Sequence, residues 1–484
     1  MIRELLTRGE VAVVGLGRSG RAAARLLRRA GATVYASDGS SAEGVAQAAA
    51  ELRALGIDAT AGGHDLDRIG RAAVVIASPG VAPDAAPLAC ARARGVPVLS
   101  EVEVGLAFLP RARCIAVTGT NGKTTVTALV HHLLVALGER SVAAGNIGTS
   151  LCEVALADSP PAWIALELSS FQLHDTPSLA PAVGVLTNLA PDHLDRYPSL
   201  ADYYGDKMRL FRNATAASRW VVNADDAEVM ARTARVGGTR FRFSLRDAGV
   251  EAGPVPEELP TAFTAEDAED AEDGRRDDGG APGQDARRWS LLGQALLARA
   301  DIPLLGDHNV ANVLAAVLAV AVADPAHATP EARARLVEGV RTFRGMPHRL
   351  EIVADRDGVQ WIDDSKATNV ASTLVAVQGM TRPAVVLLGG RNKGQGYTPL
   401  LEALRRHARL VIAYGEAAPL IEADLRGHVA LERLESSFED VMAHARAAAR
   451  PGDAVLLSPA CSSFDMFTNY EERGAAFRRL AAAP

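Results

Sequence analysis

Short apolar runs, separated by longer stretches with helical spacing, recur along the whole chain. Val11–Val14 is the first, an unbroken run that predicts a buried strand. A glycine turn follows, then an Ala/Leu/Arg segment from about Ser19 to Arg29 that predicts a helix. Thr33–Ala36, Val74–Ala77 and Val96–Leu99 continue as strands with helical stretches between them. The pattern restarts at Cys114–Val117, which runs into a second glycine loop and a helix to about Leu137. Ile164–Glu167, Val183–Leu186 and Val221–Asn223 follow as strands. A third restart comes near Arg349, with strands at about Glu351–Ala354, Gln360–Asp363, Val385–Leu388, Leu410–Ala413 and Ala454–Leu457. Strands alternating with helices predict an α/β fold with parallel sheets built from βαβ units.

The restarts divide the 484 residues into three expected domains, 1–109, 110–344 and 345–484, with boundaries near Leu109–Arg111 and Arg344–Pro347. That count suits roughly 150 residues per domain. Within the middle one, Asp247–Ala286 is rich in Gly, Pro, Asp and Glu and repeats AED three times. Such a tract buries little apolar surface and is expected to be a disordered insertion.

An apolar share of 48% and a charged share of 23% exclude collagenous, disulfide-framework and wholly disordered classes. The longest apolar run, Val313–Ala323, ends at Asp324 well short of the about 20 residues a bilayer needs, so no membrane insertion is expected. The opening MIRELLTRGEVAVVG lacks the pattern of a signal peptide. Cys90, Cys114, Cys152 and Cys461 lie far apart, which fits buried thiols in a reducing cytoplasm. A net charge of −7 argues against a nucleic-acid partner. Most of that charge sits in Ala265–Asp278, where eight acids face two arginines.

The basic residues are lopsided. Of 51, only Lys123, Lys207, Lys366 and Lys393 are lysine. A lysine kept in so arginine-rich a chain is a candidate for chemistry that arginine cannot do, as a compact charge or as an amine able to lose its proton.

Three segments carry candidate chemistry. Gly15-Leu16-Gly17-Arg18-Ser19-Gly20 follows a strand and opens a helix, and Asp38 ends the next strand. This fits the dinucleotide fingerprint, in which glycines let the backbone approach a phosphate. The same turn can hold any nucleotide diphosphate, or be a tight turn without a ligand. Ser78-Pro79-Gly80 follows a strand of the same set and belongs at the same sheet edge. The second segment is Thr118-Gly119-Thr120-Asn121-Gly122-Lys123-Thr124-Thr125, a shortened phosphate-binding loop with Val117 where the full motif has its first glycine. Its backbone N–H groups can wrap a triphosphate, Lys123 can neutralise the outer phosphates, and Thr124 can reach Mg²⁺. The third is a set of hard-metal ligands. Glu167 ends one strand, and Asp192-His193 follows another, both at the edge that carries the phosphate loop. Taken singly, each is as readily structural as ligating. Lys207 lies on the helix beyond.

Together these segments resemble the Mur ligase family, ATP-dependent amide-forming enzymes of peptidoglycan synthesis. The resemblance covers nearly the whole chain apart from the acidic tract. It rests on G-L-G-x-S-G, T-G-T-N-G-K-T-T, the G-N-I-G of Gly145–Gly148, L-E-L-S-S-F-Q-L at Leu166–Leu173 and D-H-L-D-R-Y at Asp192–Tyr197. It continues with D-H-N at Asp307–Asn309, M-P-H-R at Met346–Arg349, D-D-S-K-A-T-N at Asp363–Asn369, L-L-G-G at Leu387–Gly390 and L-S-P-A-C-S-S-F-D at Leu457–Asp465. The first motif and L-E-L-S-S-F-Q-L point to the D-glutamate-adding branch. The resemblance implies a Rossmann-like N-terminal domain for a UDP-linked substrate, a central P-loop ATPase-type domain with a parallel sheet, and a Rossmann-like C-terminal domain that receives the amino acid.

It also implies the chemistry. A carboxylate is a poor electrophile, so it is first phosphorylated by ATP and the acyl phosphate is then displaced by an amine, in a site that must hold anions together. By resemblance, Gly119, Thr120, Asn121, Gly122, Lys123, Thr124 and Thr125 hold the triphosphate, and Thr124 and Glu167 take the first Mg²⁺. His193 serves a second Mg²⁺, supported by Lys207 as a carbamate. A free lysine has a pKa of about 10.4, so burial or a nearby cation must depress it before the amine can form a carbamate. Asn309 and Asn312 look like adenine contacts, with Arg349 and Asp364 at ribose and phosphate. Lys366, Thr368, Lys393, Ser463, Phe464 and Tyr470 correspond to the region that receives D-glutamate. Asn146 and Ser169 lie where the alanyl end of UDP-N-acetylmuramoyl-L-alanine reaches, and Gly17, Ser19, Asp38, Ser78 and Gly80 correspond to its uridine diphosphate. All four lysines fall in these motifs. The chain is expected to work as a monomer.

Three positions depart from the family. Gly39 and Ser40 follow Asp38 where some relatives place a hydroxyl and an arginine, and Tyr470 stands where a phenylalanine occurs. Three other readings compete. A sister amide ligase, such as an L-alanine adder or a folate polyglutamate synthase, would differ in its opening turn or lack the first domain. A nicotinamide-dependent oxidoreductase would leave the phosphate loop unexplained. A P-loop regulator would bind ATP without substrate-dependent phosphate release.

Overall fold

A computed structural model describes residues 2–192, 197–255 and 287–483. The chain divides into two compact units, Met1–Ile302 with Ala311–Arg341, and Pro303–Val310 with Thr342–Pro484. Among the described residues no helix is long and apolar enough to cross a membrane.

The first unit holds two sheets. Strands β1 (Val11–Val14), β2 (Val34–Asp38), β3 (Asp58–Ala61), β4 (Val74–Ala77) and β5 (Val98–Ser100) form a parallel sheet in the order β3-β2-β1-β4-β5. Every residue of β1 and β4 is buried, as a strand covered on both faces requires. One face packs Val11, Val13 and Val34 against the Arg18–Arg29 helix, and the other packs Ala12, Val14 and Val75. The strand order reverses at β1 and β4, so the loops after them meet at the crevice where such sheets bind ligands.

The second sheet contains β6 (Arg113–Thr118), β7 (Ser141–Gly145), β8 (Trp163–Glu167), β9 (Val183–Leu186), β10 (Arg219–Asn223), β11 (Thr239–Phe243), β12 (Ala252–Pro254), β13 (Arg288–Leu291) and β14 (Gln294–Ala298). Their order is β14-β13-β12-β11-β10-β9-β6-β8-β7. The run from β11 to β7 is parallel, with β6 between β8 and β9. The ends of β6, β8 and β9 therefore share one edge. The helix Glu101–Phe108 ties the two sheets: Val104 joins the first core, while Val102 and the adjacent Leu109 join the second.

The parallel-sheet expectation needs a correction at the edge: β12–β13 and β13–β14 pair antiparallel. The expected insertion over Asp247–Ala286 is corrected too. Residues 252–254 form β12 of the sheet, with Ala252 paired to both Phe243 and Leu291, and Val250 in the preceding turn is buried. Residues 256–286 lie outside the described residues.

The second unit is built on β15 (Glu351–Arg356), β16 (Val359–Asp363), β17 (Ala384–Gly389), β18 (Ala408–Tyr414), β19 (Leu431–Leu434) and β20 (Ala454–Leu457), ordered β15-β16-β20-β17-β18-β19. All pairs are parallel except the β15–β16 hairpin. Both faces are covered, by cores around Val386 and Leu456 on one side and Val385 and Phe477 on the other.

Candidate active site

The phosphate loop joins β6 to the helix Lys123–Ala136. Gly119 (φ 147°) and Gly122 (φ 81°) take backbone conformations that favour glycine. A Cβ on Gly119 would lie 2.0 Å from Thr187 Oγ1, and one on Gly122 would lie 2.4 Å from Asn312 Oδ1. The loop is braced from the end of β9. Thr187 Oγ1 and Asn188 Nδ2 donate to the Asn121 carbonyl at 2.6 and 3.0 Å, and Asn121 N–H donates to Asn188 Oδ1 at 2.8 Å. Thr120 Oγ1 donates to the Ala190 carbonyl at 3.1 Å. Lys123 curls over the loop and donates to the carbonyls of Gly119 and Thr120 at 3.0 and 2.7 Å. Thr124 and buried Thr125 begin the helix, whose first N–H groups have no partners in the helix itself. A braced loop, a helix N-terminus and a nearby ammonium make an anion site.

Lys207, on the helix Leu200–Met208, is 1% exposed. Its Nζ donates to the Gly119 carbonyl at 2.7 Å and lies 4.5 Å from the Tyr203 ring centroid. Burial, reinforced by the Lys123 charge, pushes its pKa down to about 6. The shift favours the neutral amine, the form that can act as a nucleophile.

Glu167 closes β8 beside the loop strand, paired in register with Val117. It is 1% exposed. Its Oε1 accepts from Asn146 Nδ2 at 2.9 Å, while Oε2 is buried with no hydrogen-bond partner among the described residues. A buried carboxylate oxygen in that state suits a cation. Ser169 caps the helix Ser170–His174, accepting from the Gln172 N–H at 3.2 Å. His193 lies outside the described residues.

At the first sheet's crevice, Gly15 has φ 95°, and a Cβ on Gly20 would sit 1.8 Å from the Gly15 carbonyl oxygen. Gly17 caps the Arg18–Arg29 helix, with Ser19 in its first turn. A Cβ on Gly17 or Gly80 would meet nothing within 4 Å, so the backbone there is open to approach. Ser78 Oγ donates to the Gly15 carbonyl at 3.3 Å. Asp38 holds the loop itself: its Oδ2 accepts from Leu16 N–H at 2.8 Å and its Oδ1 from Ser40 N–H at 2.9 Å.

In the second unit, Asn309 Nδ2 donates to the Leu305 carbonyl at 2.8 Å. Arg349 sits between two residues of positive φ, His348 (61°) and Leu350 (47°), and its Nε is buried without a hydrogen-bond partner among the described residues. Asp364 follows β16. It accepts from Ser458 Oγ at 2.7 Å, and burial pushes its pKa up to about 7. Lys393 Nζ donates to Thr368 Oγ1 at 3.0 Å, and Lys366 Nζ lies 5.7 Å from the Tyr470 ring centroid. Ser463 is buried, whereas Phe464 is 62% exposed.

Sequence reasoning missed several residues in these clusters. Thr187 and Asn188 brace the loop from a neighbouring strand, and only the pairing of β9 with β6 brings them there. Arg473 is 1% exposed, and its guanidinium donates to Ser365 Oγ at 2.9 Å and to the carbonyls of Ser365 and Cys461 at 2.8 and 3.2 Å. A fully buried arginine on carbonyl oxygens was not legible in E-E-R. The His348 ring pairs with Asp363 at 2.7 Å and steadies the turn that carries Arg349.

Three α/β sheets in succession, the middle one carrying a phosphate loop, define the class. Three family models match in order: the MurD-like N-terminal domain of Mur ligases over residues 9–100, the Mur ligase middle domain over 117–320, and the Mur ligase glutamate ligase domain over 348–461. The chain belongs to the Mur ligase family. It is 38% identical to the UDP-N-acetylmuramoylalanine–D-glutamate ligase of Salinibacter ruber, over 99% of each chain. It is 40% identical to the protein of the same name from Chromobacterium violaceum, over 98% of this chain and 97% of that one. Among solved structures, the UDP-N-acetylmuramate-alanine ligase MurC of Thermotoga maritima shares the fold, with TM-score 0.58, 20% identity, and 97% and 98% of the two chains covered.

Proposed function

We propose that the protein is an ATP-dependent ligase that joins D-glutamate to the carboxylate of UDP-N-acetylmuramoyl-L-alanine in peptidoglycan-precursor synthesis, acting as a cytoplasmic monomer. The observation that carries this reading is the full-length identity to relatives that bear this activity in their names. Its domains are 1–109 for the nucleotide-sugar, 110–344 for ATP, and 345–484 for the incoming amino acid and part of ATP.

The loop of Gly119–Thr125 holds the triphosphate, with Lys123 turning from its carbonyls to the outer phosphates. The donor set fits Mg²⁺: the orphaned Glu167 Oε2 and the Thr124 hydroxyl are hard oxygens, and a Lys207 carbamate adds another. His193 belongs to a second such site. Bound there, Mg²⁺ supplies compact positive charge opposite phosphate oxygens. Asn309 and Asn312 hold adenine, and Arg349 and Asp364 hold ribose and phosphate. Gly17, Ser19, Asp38, Ser78 and Gly80 take the uridine diphosphate, with Asn146 and Ser169 at its alanyl end.

The substrate carboxylate attacks the γ-phosphorus and ADP leaves, giving an acyl phosphate. The D-glutamate amine then attacks the acyl carbon, loses a proton, and expels phosphate. Lys366, Lys393, Thr368, Ser463, Phe464 and Tyr470 receive the amino acid, and buried Arg473 steadies the loop of Cys461 beside them. Two lysines suit a substrate that carries two carboxylates.

The test is phosphate release from ATP, Mg²⁺ and UDP-N-acetylmuramoyl-L-alanine, with D-glutamate, L-glutamate, L-alanine and glycine offered in turn. Release with D-glutamate alone is expected. Release with a different amino acid moves the protein to a sister specificity, and no release with any of them removes the nucleotide-sugar assignment.

A further inference from the structure

Beside Lys207 on the same helix, Asp206 is a buried carboxylate with three side-chain partners from three segments. Its Oδ1 pairs with His174 Nδ1 at 2.8 Å and accepts from Arg209 Nε at 2.8 Å, and its Oδ2 accepts from Tyr197 OH at 3.1 Å. His174 ends the short helix that Ser169 caps, and Arg209 follows the helix of Lys207. Tyr197 stacks on Phe171, with ring centroids 5.2 Å apart and planes 9° apart, and meets Tyr203 edge-on at 5.3 Å. Tyr203 in turn underlies Lys207 Nζ and donates to Thr120 Oγ1 of the phosphate loop at 3.4 Å. The network forms one wall of a cleft of about 990 Å³ that Ser78 and Pro79 line from the other side. Tyr197 also packs against the core around Tyr203 and Leu210, whereas His174 keeps 40% of its side chain exposed.

We propose that Asp206 is a positioning residue for Lys207: by tying His174, Tyr197 and Arg209 to one carboxylate it fixes the rotation of the Leu200–Met208 helix, and so holds the lysine amine where it takes up CO₂. The helix is only nine residues long, and a rotation of about 10° carries a lysine Nζ through about 1.5 Å, beyond the roughly 0.5 Å that a functional constellation tolerates. The inference rests on the carbamate reading of Lys207. In that step the neutral amine's lone pair adds to the carbon of CO₂, an N–C bond forms, one C=O π pair moves to oxygen, and an N–H proton leaves to solvent.

The experiment measures kcat against added bicarbonate for wild type, Asp206→Ala and His174→Gln, with Lys207→Ala beside them and melting temperatures for all four. Lys207→Ala is expected to be impaired and partly restored by acetate or formate, which tests the underlying reading on its own. Asp206→Ala is expected to lose about tenfold in kcat without added bicarbonate, in the range seen when partners that orient a metal ligand are removed, and to regain most of it as bicarbonate is raised. His174→Gln, on a half-exposed side chain, should fold normally and show the same dependence more weakly, so it decides the matter if Asp206→Ala folds poorly. A loss in Asp206→Ala and His174→Gln that bicarbonate does not change marks a merely structural role and overturns the proposal. Wild-type kcat in both variants, with Lys207→Ala impaired and rescued, overturns it while leaving the carbamate reading intact. An unimpaired Lys207→Ala removes the reading and the proposal together.

Discussion

Lys123 and Lys207 donate to the same oxygen. The Gly119 carbonyl accepts from one ammonium at 3.0 Å and from the other amine at 2.7 Å. Burial above all, and then the Lys123 charge beside it, push Lys207 down to about 6. The loop thus carries one fixed charge, Lys123, and one neutral amine, in places that arginine could not fill.

That pairing has a consequence for stability. In the unfolded chain Lys207 keeps a proton up to about pH 10.4, whereas in the folded chain it loses that proton near pH 6. Between these values the unfolded state binds more protons, so stability rises with pH and falls again as pH drops toward 6. The slope reaches about 1.4 kcal/mol per pH unit for one proton. Lys207→Met should lose this contribution. Urea midpoints of the metal-free protein at pH 6.5 and 8.5 compare the two, and equal slopes would show that Lys207 stays protonated in the fold.

Lys123→Ala removes the fixed charge. Turnover should fall roughly 100-fold or more, the scale of losing one well-placed electrostatic contact in a transition state. Lys123 donates to the carbonyls of Gly119 and Thr120 in its own loop, and a melting temperature near that of wild type would show that the fold persists without it. A steady-state assay giving near wild-type turnover would remove the loop's assignment to ATP.

The glycines of the opening turn separate folding from binding. Gly17→Ala adds a Cβ that meets nothing and needs no unusual φ, so its melting temperature should match wild type. Its KM for the nucleotide-sugar should rise, because the added methyl lies where a diphosphate approaches the backbone. Gly20→Ala is the contrast. Its Cβ would overlap the Gly15 carbonyl, and this variant should lose stability, by about 1–3 kcal/mol. An unchanged KM in Gly17→Ala would mean the turn is structural and holds no phosphate.

The elements legible in the sequence are those buried on both faces. β1, β4, β9 and β20 are continuous apolar runs and lie where their patterns predict. The strands that escaped notice are mostly at edges. β3 reads DATA, β7 SVAAG and β19 LERL, and each is half-exposed at the rim of its sheet, so no apolar run marks it. The site divides in the same way. Gly119, Gly122 and Lys123 are legible because a loop that wraps phosphate fixes residue types at short spacing. Asn188, Asp206 and Arg473 act through partners remote in sequence, at separations of 67, 32 and 108 residues, and no local spacing encodes them.

Glu167 offers the sharpest test of the metal. Its Oε1 is occupied by Asn146 at 2.9 Å while Oε2 is buried without a partner among the described residues. A buried carboxylate half-satisfied by one amide is costly unless a cation completes it. Glu167→Gln keeps the shape and an oxygen for Asn146 but removes the charge, so the empty protein should be as stable as wild type or more so. The Mg²⁺ concentration for half-maximal activity should rise by about tenfold or more, at least the loss seen for partners that only orient a ligand, with kcat at saturating Mg²⁺ also reduced. Titrating Mg²⁺ against phosphate release for both proteins reads this directly. A midpoint that does not move would take Glu167 off the metal and leave its carboxylate as a structural acceptor for Asn146.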